Sequence, residues 1–107
     1  MWHYHDDDLA GPDAAVRLRL DRLPAAFRRG YTAAHYQVDR PHANSYAAWL
    51  AMGSPLAPNT KERAAFLKAA ELLPLGDLPT ATAGKAERTI AFTLPGQGVA
   101  LIQLTAR

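Results

Sequence analysis

Val16-Arg17-Leu18-Arg19-Leu20-Asp21 alternates one apolar residue with one charged residue, and that alternation decides the fold class. Side chains on a strand point to opposite faces with period two, so this run has one greasy face and one wet face. A strand half-buried in this way belongs to an antiparallel sheet covered on one side. Leu23-Pro24 ends it, and Gly11-Pro12-Asp13 is the turn that precedes it. Thr89 to Leu94 repeats the pattern, with Ile90, Phe92 and Leu94 on one face.

Other stretches fill in around these two. Tyr31 to Val38 reads as a further strand, with Tyr36 and Val38 assigned to the inner face; its first half, Tyr31-Thr32-Ala33-Ala34, sets no firm phase. Residues 2–5 read as a short aromatic strand, stopped by Asp6-Asp7-Asp8, where three like charges disfavour a ladder. Pro95-Gly96-Gln97-Gly98 reads as a hairpin loop, and Val99 to Ile102, apolar on both faces, as a central strand or one covered on both sides.

Between the third and fourth strands the period changes. Asn44-Ser45 offers an N-cap, and Tyr46, Trp49 and Leu50 follow at helical spacing. Gly53 stands where a residue after the helix takes positive φ, and Ser54-Pro55 prevents continuation. Asn59 with Glu62 three residues later resembles a capping box; Phe66, Leu67, Ala70 and Leu73 give a second helix its apolar side, and Pro74 stops it. The whole is one domain over residues 1–107: mainly β, an antiparallel β-sandwich with a helical hairpin inserted at about 44–73.

Composition narrows the function. The 107 residues make room for one small domain, 49% hydrophobic and 21% charged. There is no Cys, which excludes disulfides and thiolate metal sites. The net charge is +2 and the basic residues are scattered, so nucleic acid is not an expected partner. No apolar run approaches the ~20 residues of a membrane helix, so no membrane partner is expected either. The acidic N-terminus is not that of a signal peptide, which favours the cytoplasm without fixing the compartment. The length is far below the ~250 residues of a (β/α)₈ barrel. No dinucleotide fingerprint, P-loop or nucleophile elbow is present.

The stretch Asp39-Arg40-Pro41-His42-Ala43-Asn44-Ser45-Tyr46-Ala47-Ala48-Trp49-Leu50-Ala51-Met52-Gly53-Ser54-Pro55 resembles the D-x-x-H-S-N-x-Y-x-x-W-x-x-M-G-S-P segment of glycoside hydrolase family 39, the β-xylosidase and α-L-iduronidase family. Trp2-His3-Tyr4-His5-Asp6-Asp7-Asp8 is similar to its W-x-Y-x-D-D-D strand end, and Leu94-Pro95-Gly96-Gln97-Gly98-Val99 to its L-P-R-Q-G-V hairpin. Ala43 replaces a Ser, Gly96 replaces an Arg, and Pro58-Asn59-Thr60 interrupts a P-T helix start.

The resemblance implies the C-terminal β-sandwich of that family without its catalytic barrel. It therefore implies no catalytic residue here. Retaining hydrolysis needs two carboxyls about 5–5.5 Å apart. Of Glu62, Glu71 and Glu87, the first two are nine residues apart, ~13 Å along a helix at 1.5 Å per residue. The resemblance also implies missing strands, hence an uncovered sheet edge or apolar face. The expected partners are a catalytic barrel, or a second copy through that edge.

Two constellations invite chemistry. His3-Tyr4-His5-Asp6-Asp7 has the H-x-H-x-D spacing of binuclear metallohydrolases, so His3, His5 and Asp7 are the candidate metal ligands. Position 8 is Asp where that motif has a His, and the plainer reading is a strand face followed by a solvated turn, with no metal and no cofactor. Trp2 and Tyr4 are the candidate carbohydrate contacts, which makes a xylo-oligosaccharide-binding module the alternative to a structural accessory domain. Tyr46 and Trp49, beside Leu50 at helical spacing, read as packing residues. Asp39, His42, Asn44, Tyr46, Trp49 and Gly53 read as a structural motif: Asn44 or Ser45 capping the helix, Asp39 and His42 bonding to loop backbone.

Overall fold

The computed structural model describes residues 1–4, 11–80 and 89–107. In chain order the elements are β1 (Ala14–Arg19), a 3₁₀ turn (Ala25–Arg29), β2 (Tyr31–Val38), α1 (Ser45–Ala51), α2 (Thr60–Ala69), β3 (Pro74–Asp77), β4 (Thr89–Leu94) and β5 (Val99–Ala106). They form two antiparallel sheets, one of order β1-β4 and one of order β3-β2-β5. This is the incomplete β-sandwich with its helical hairpin between β2 and β3.

The alternation in β1 and β4 does what it predicts. Ala14 pairs with Leu94, Val16 with Phe92 and Leu18 with Ile90, so all six share one face. That face meets the inner face of the other sheet. Tyr31, Ala33 and Ile90 form the buried centre, with Leu18, Leu20, Leu23, Phe27, Leu78, Phe92, Ile102 and Leu104 packed around it. The rings of Phe27 and Tyr31 meet tilted, with centroids 6.3 Å apart, and those of His35 and Phe92 likewise at 5.0 Å.

The phase of β2 is the opposite of the one read from sequence. Tyr31, Ala33, His35 and Gln37 are buried, while Tyr36 and Val38 lie on the outer face. A one-residue shift moves every side chain to the other face. Here Tyr31, held against Phe27, and the network that Gln37 makes with Asp39 set the phase, so two polar side chains go inward in place of a Tyr and a Val.

The loop after β4 also departs from expectation. Pro95–Gly98 does not close a hairpin: β4 pairs with β1 and β5 with β2, so this turn carries the chain from one sheet to the other. β5 is not a covered central strand either. It lies at an edge of its sheet, with Val99 and Leu101 exposed on the outer face. The apolar pattern on both faces reflects an outer face left uncovered among the described residues. Of the strand expected at 2–5, a single bridge of Trp2 to Val99 appears; residue 5 lies outside the described residues.

Both helices form where their caps place them. Asn44 accepts a hydrogen bond from the Ala47 N–H, and Asn59 and Glu62 make a reciprocal capping box. At the end of α1, Ser54 N–H donates to Trp49 C=O and Gly53 N–H to Leu50 C=O, with Gly53 at φ +85°, a Schellman motif. The second helix is shorter than its apolar spacing suggests. It ends at Ala69, so Leu73 and Glu71 lie beyond it, and Leu67 is exposed. Pro74 is not what stops it, since the helix has ended four residues earlier with Ala70 as its C-cap; Pro74 begins β3, an exposed edge strand, where a missing N–H is tolerated.

No residue of α1 or α2 is buried. The hairpin packs chiefly on itself and projects from the sandwich, giving extents of 55 × 31 × 17 Å and a radius of gyration of 17.6 Å. A compact domain of this length has a radius near 13 Å.

Candidate functional site

Three places carry the residues singled out from sequence. The first is the root of the helical hairpin, where β2 runs out. Gln37 Nε2 donates to Asp39 Oδ2 at 2.5 Å. Asp39 Oδ1 accepts from the His42 backbone N–H at 2.9 Å and lies 2.7 Å from the His42 ring Nδ1. Asn44 Nδ2 donates to the Asp39 carbonyl at 3.0 Å while its Oδ1 caps α1. Asp39 therefore ties strand, loop and helix together. Its carboxyl takes a backbone N–H as the motif requires; the His42 ring turns to that carboxyl rather than to backbone. Burial pushes the Asp39 carboxyl up, but the donors from Gln37 and from the His42 side chain and backbone outweigh it and hold it below its ordinary value.

Deeper along the same strand face, His35 Nε2 and Gln37 Oε1 are buried without a hydrogen-bond partner. Burial pushes the His35 imidazole below its ordinary value; the Gln37 amide counteracts this in part, and His42 adds to the depression. Sequence reasoning missed this pair because the other phase of β2 places both side chains outside.

The second place is the hairpin itself. The Tyr46 and Trp49 rings stack at 5.7 Å, and Trp49 Nε1 donates to the Pro55 carbonyl at 3.0 Å. Trp49 is half-buried as a local packing residue; Tyr46 is exposed. Leu56 is 99% exposed and Leu67 74%.

The third place is the N-terminal segment against the start of β5. Trp2, His3, Tyr4, Gln97, Gly98 and Val99 line an open cleft of about 390 Å³. It brings together the two candidate carbohydrate contacts and adds Gln97, which sequence reasoning passed over; the signal available was a lone non-glycine residue between Gly96 and Gly98. Of the candidate metal ligands, His3 lies here with Nδ1 3.3 Å from the Leu94 carbonyl oxygen. His5 and Asp7 lie outside the described residues, and among the described residues no three His, Asp or Glu side chains converge. The described glutamates Glu62 and Glu71 sit in the first turn of α2, as the capping-box partner of Asn59, and beyond its C-terminus; Glu87 lies outside the described residues. No helix among the described residues is long and apolar enough to cross a membrane.

The sequence matches no known family profile and no curated protein. Among solved structures, the fold is similar to the crystal structure of a monomeric β-xylosidase from Caulobacter crescentus CB15, with a TM-score of 0.72 and 18% identity over 98% of this chain. The chain covers 23% of that protein's length. At this identity the likeness is one of fold, between this chain and about a quarter of that one.

Proposed function

We propose that this chain is a non-catalytic accessory domain of the kind attached to a β-xylosidase of glycoside hydrolase family 39, and that its task is to pack against a catalytic barrel. The observation that carries the reading is a set of apolar side chains left exposed among the described residues. Tyr46, Leu50, Leu56 and Leu67 on the hairpin are exposed, as are Val38, Val99 and Leu101 on the outer sheet face. Exposed apolar surface of this extent on a small domain marks an interaction site. The fold likeness to part of a β-xylosidase is what favours a glycosidase catalytic domain as the partner. The two described glutamates support the same reading, since Glu62 lies in the first turn of α2 and Glu71 two residues past its end, too far apart to flank one glycosidic bond.

The test is hydrolysis of an aryl β-xyloside by the purified chain. The expected result is no release above buffer. Turnover that disappears on replacing Glu62 or Glu71 by Gln would overturn the proposal.

A further inference from the structure

We propose that the cleft between the N-terminal segment and the β4–β5 turn binds a neutral pyranose unit of an oligosaccharide, with Trp2 as its stacking surface. The inference goes beyond the packing role and does not depend on it.

The cleft is built on fixed backbone. The Met1 amine donates to the Ala100 carbonyl at 2.8 Å, Ala100 N–H to the Met1 carbonyl at 2.7 Å, and His3 N–H to the Gly98 carbonyl at 2.9 Å. These bonds pin Trp2 opposite Val99 at the rim of the sheet. Pinned in this way, Trp2 is nonetheless 74% exposed and Tyr4 67%. A Trp that a ladder holds in place and the core does not use presents a flat apolar face at little further entropic cost.

The opposite wall carries local strain. Gly98 N–H donates to the Pro95 carbonyl, closing a four-residue turn in which Gln97 occupies the third position at φ +62° while Gly96 keeps a negative φ. That is the pattern of a type II turn, whose third position favours glycine. The glycine is instead one place later, where a Cβ would sit 2.8 Å from the Pro95 carbonyl oxygen. The turn thus holds an amide side chain in a left-handed conformation at the edge of the cleft, and strain of this kind collects at binding sites.

The lining selects the ligand. Among the described residues it has aromatic faces, an amide and an imidazole, and no Lys, Arg, Asp or Glu. Phosphate-bearing ligands need cations and are not served. A pyranose ring has an axial C–H face to lay on an indole and a rim of hydroxyls for an amide. The volume is at the lower end of the ~300–1,000 Å³ of small-molecule clefts, and the open side lets a chain continue past it. Val99 also pairs with Val38, the residue before Asp39, so the cleft and the root of the hairpin share one end of the sheet.

The experiment is a titration of the purified chain with xylohexaose and with cellohexaose, read by tryptophan fluorescence and by saturation-transfer NMR of the sugar protons. The expected result is saturable binding of at least one of them. It survives Trp49→Phe, weakens tenfold or more in Trp2→Ala and several-fold in Gln97→Ala, with circular dichroism unchanged in the Trp2 variant. Absence of saturation with both sugars up to millimolar concentration overturns the proposal. So does binding indifferent to Trp2→Ala, or a Trp2→Ala effect confined to self-association, which would make the cleft a protein contact.

Discussion

Asp39 Oδ1 sits 2.7 Å from the ring Nδ1 of His42 and 2.9 Å from that residue's backbone nitrogen, so one carboxylate oxygen fixes both the side chain and the main chain of the residue that leads into α1. Its other oxygen takes the Gln37 amide. Removing the carboxylate strands at least two donors in a place with little water. Asp39→Ala should cost about 2–3 kcal/mol, seen as a lower midpoint in urea. A loss below a few tenths would show that the knot is ornamental.

The same carboxylate makes stability depend on acid. Its folded pKa is lowered, so the folded state binds fewer protons than the unfolded chain through the window below the ordinary carboxylate value of about 4. The contribution is present above that value and is lost as pH falls through the folded pKa. Asp39→Asn should flatten the acid limb of a stability–pH curve; an unaltered limb contradicts the assignment.

His35 acts at a higher pH with the same sign. Its folded pKa is depressed, chiefly by burial, so the unfolded chain binds the proton first as pH drops through about 6.5. The chain should lose stability between pH 7 and the folded pKa of His35. His35→Leu, which also removes the unpartnered Nε2, should reduce that slope in melts at pH 7.5, 6.5 and 5.5. A slope of the same size would exclude His35 as its source.

Asn44 both caps α1 and donates to the Asp39 carbonyl. Asn44→Ala should lower stability by about 1 kcal/mol or somewhat more. An unchanged melting temperature would contradict the capping role.

Gln97→Gly separates folding from binding. Glycine suits the φ of +62° at this position, so the melting temperature should stay level or rise. Oligosaccharide binding should weaken with loss of the amide. Loss of stability with binding intact would reverse the roles given to this residue.

Much of this was legible in the residues. The alternation of β1 and β4, the Asn44 and Asn59 caps and the Gly53 stop depend on neighbours a few positions away, and sequence shows such neighbours directly. The phase of β2 was not legible, because Ala33 and Ala34 suit either face and the deciding contacts, with Phe27 and Asp39, depend on how the chain folds back. Nor was the sheet change at Pro95–Gly98, since a turn motif specifies its own backbone and not which strands pair beyond it. β3 was hidden behind a proline that reads equally as a helix stop. For the candidate site, Trp2 and Tyr4 stood out as aromatics near a terminus. Gln97 did not, since its meaning comes from a backbone angle.

If the domain packs against a partner as proposed, the projecting hairpin and the outer sheet face are its contact surfaces. Sedimentation velocity over a wide concentration range tests it most directly. The expected result is an elongated monomer whose weight-average coefficient rises with concentration, and a rise that Leu56→Ser with Leu67→Ser suppresses at unchanged melting temperature. A coefficient independent of concentration, with the friction of a near-spherical particle, would contradict it.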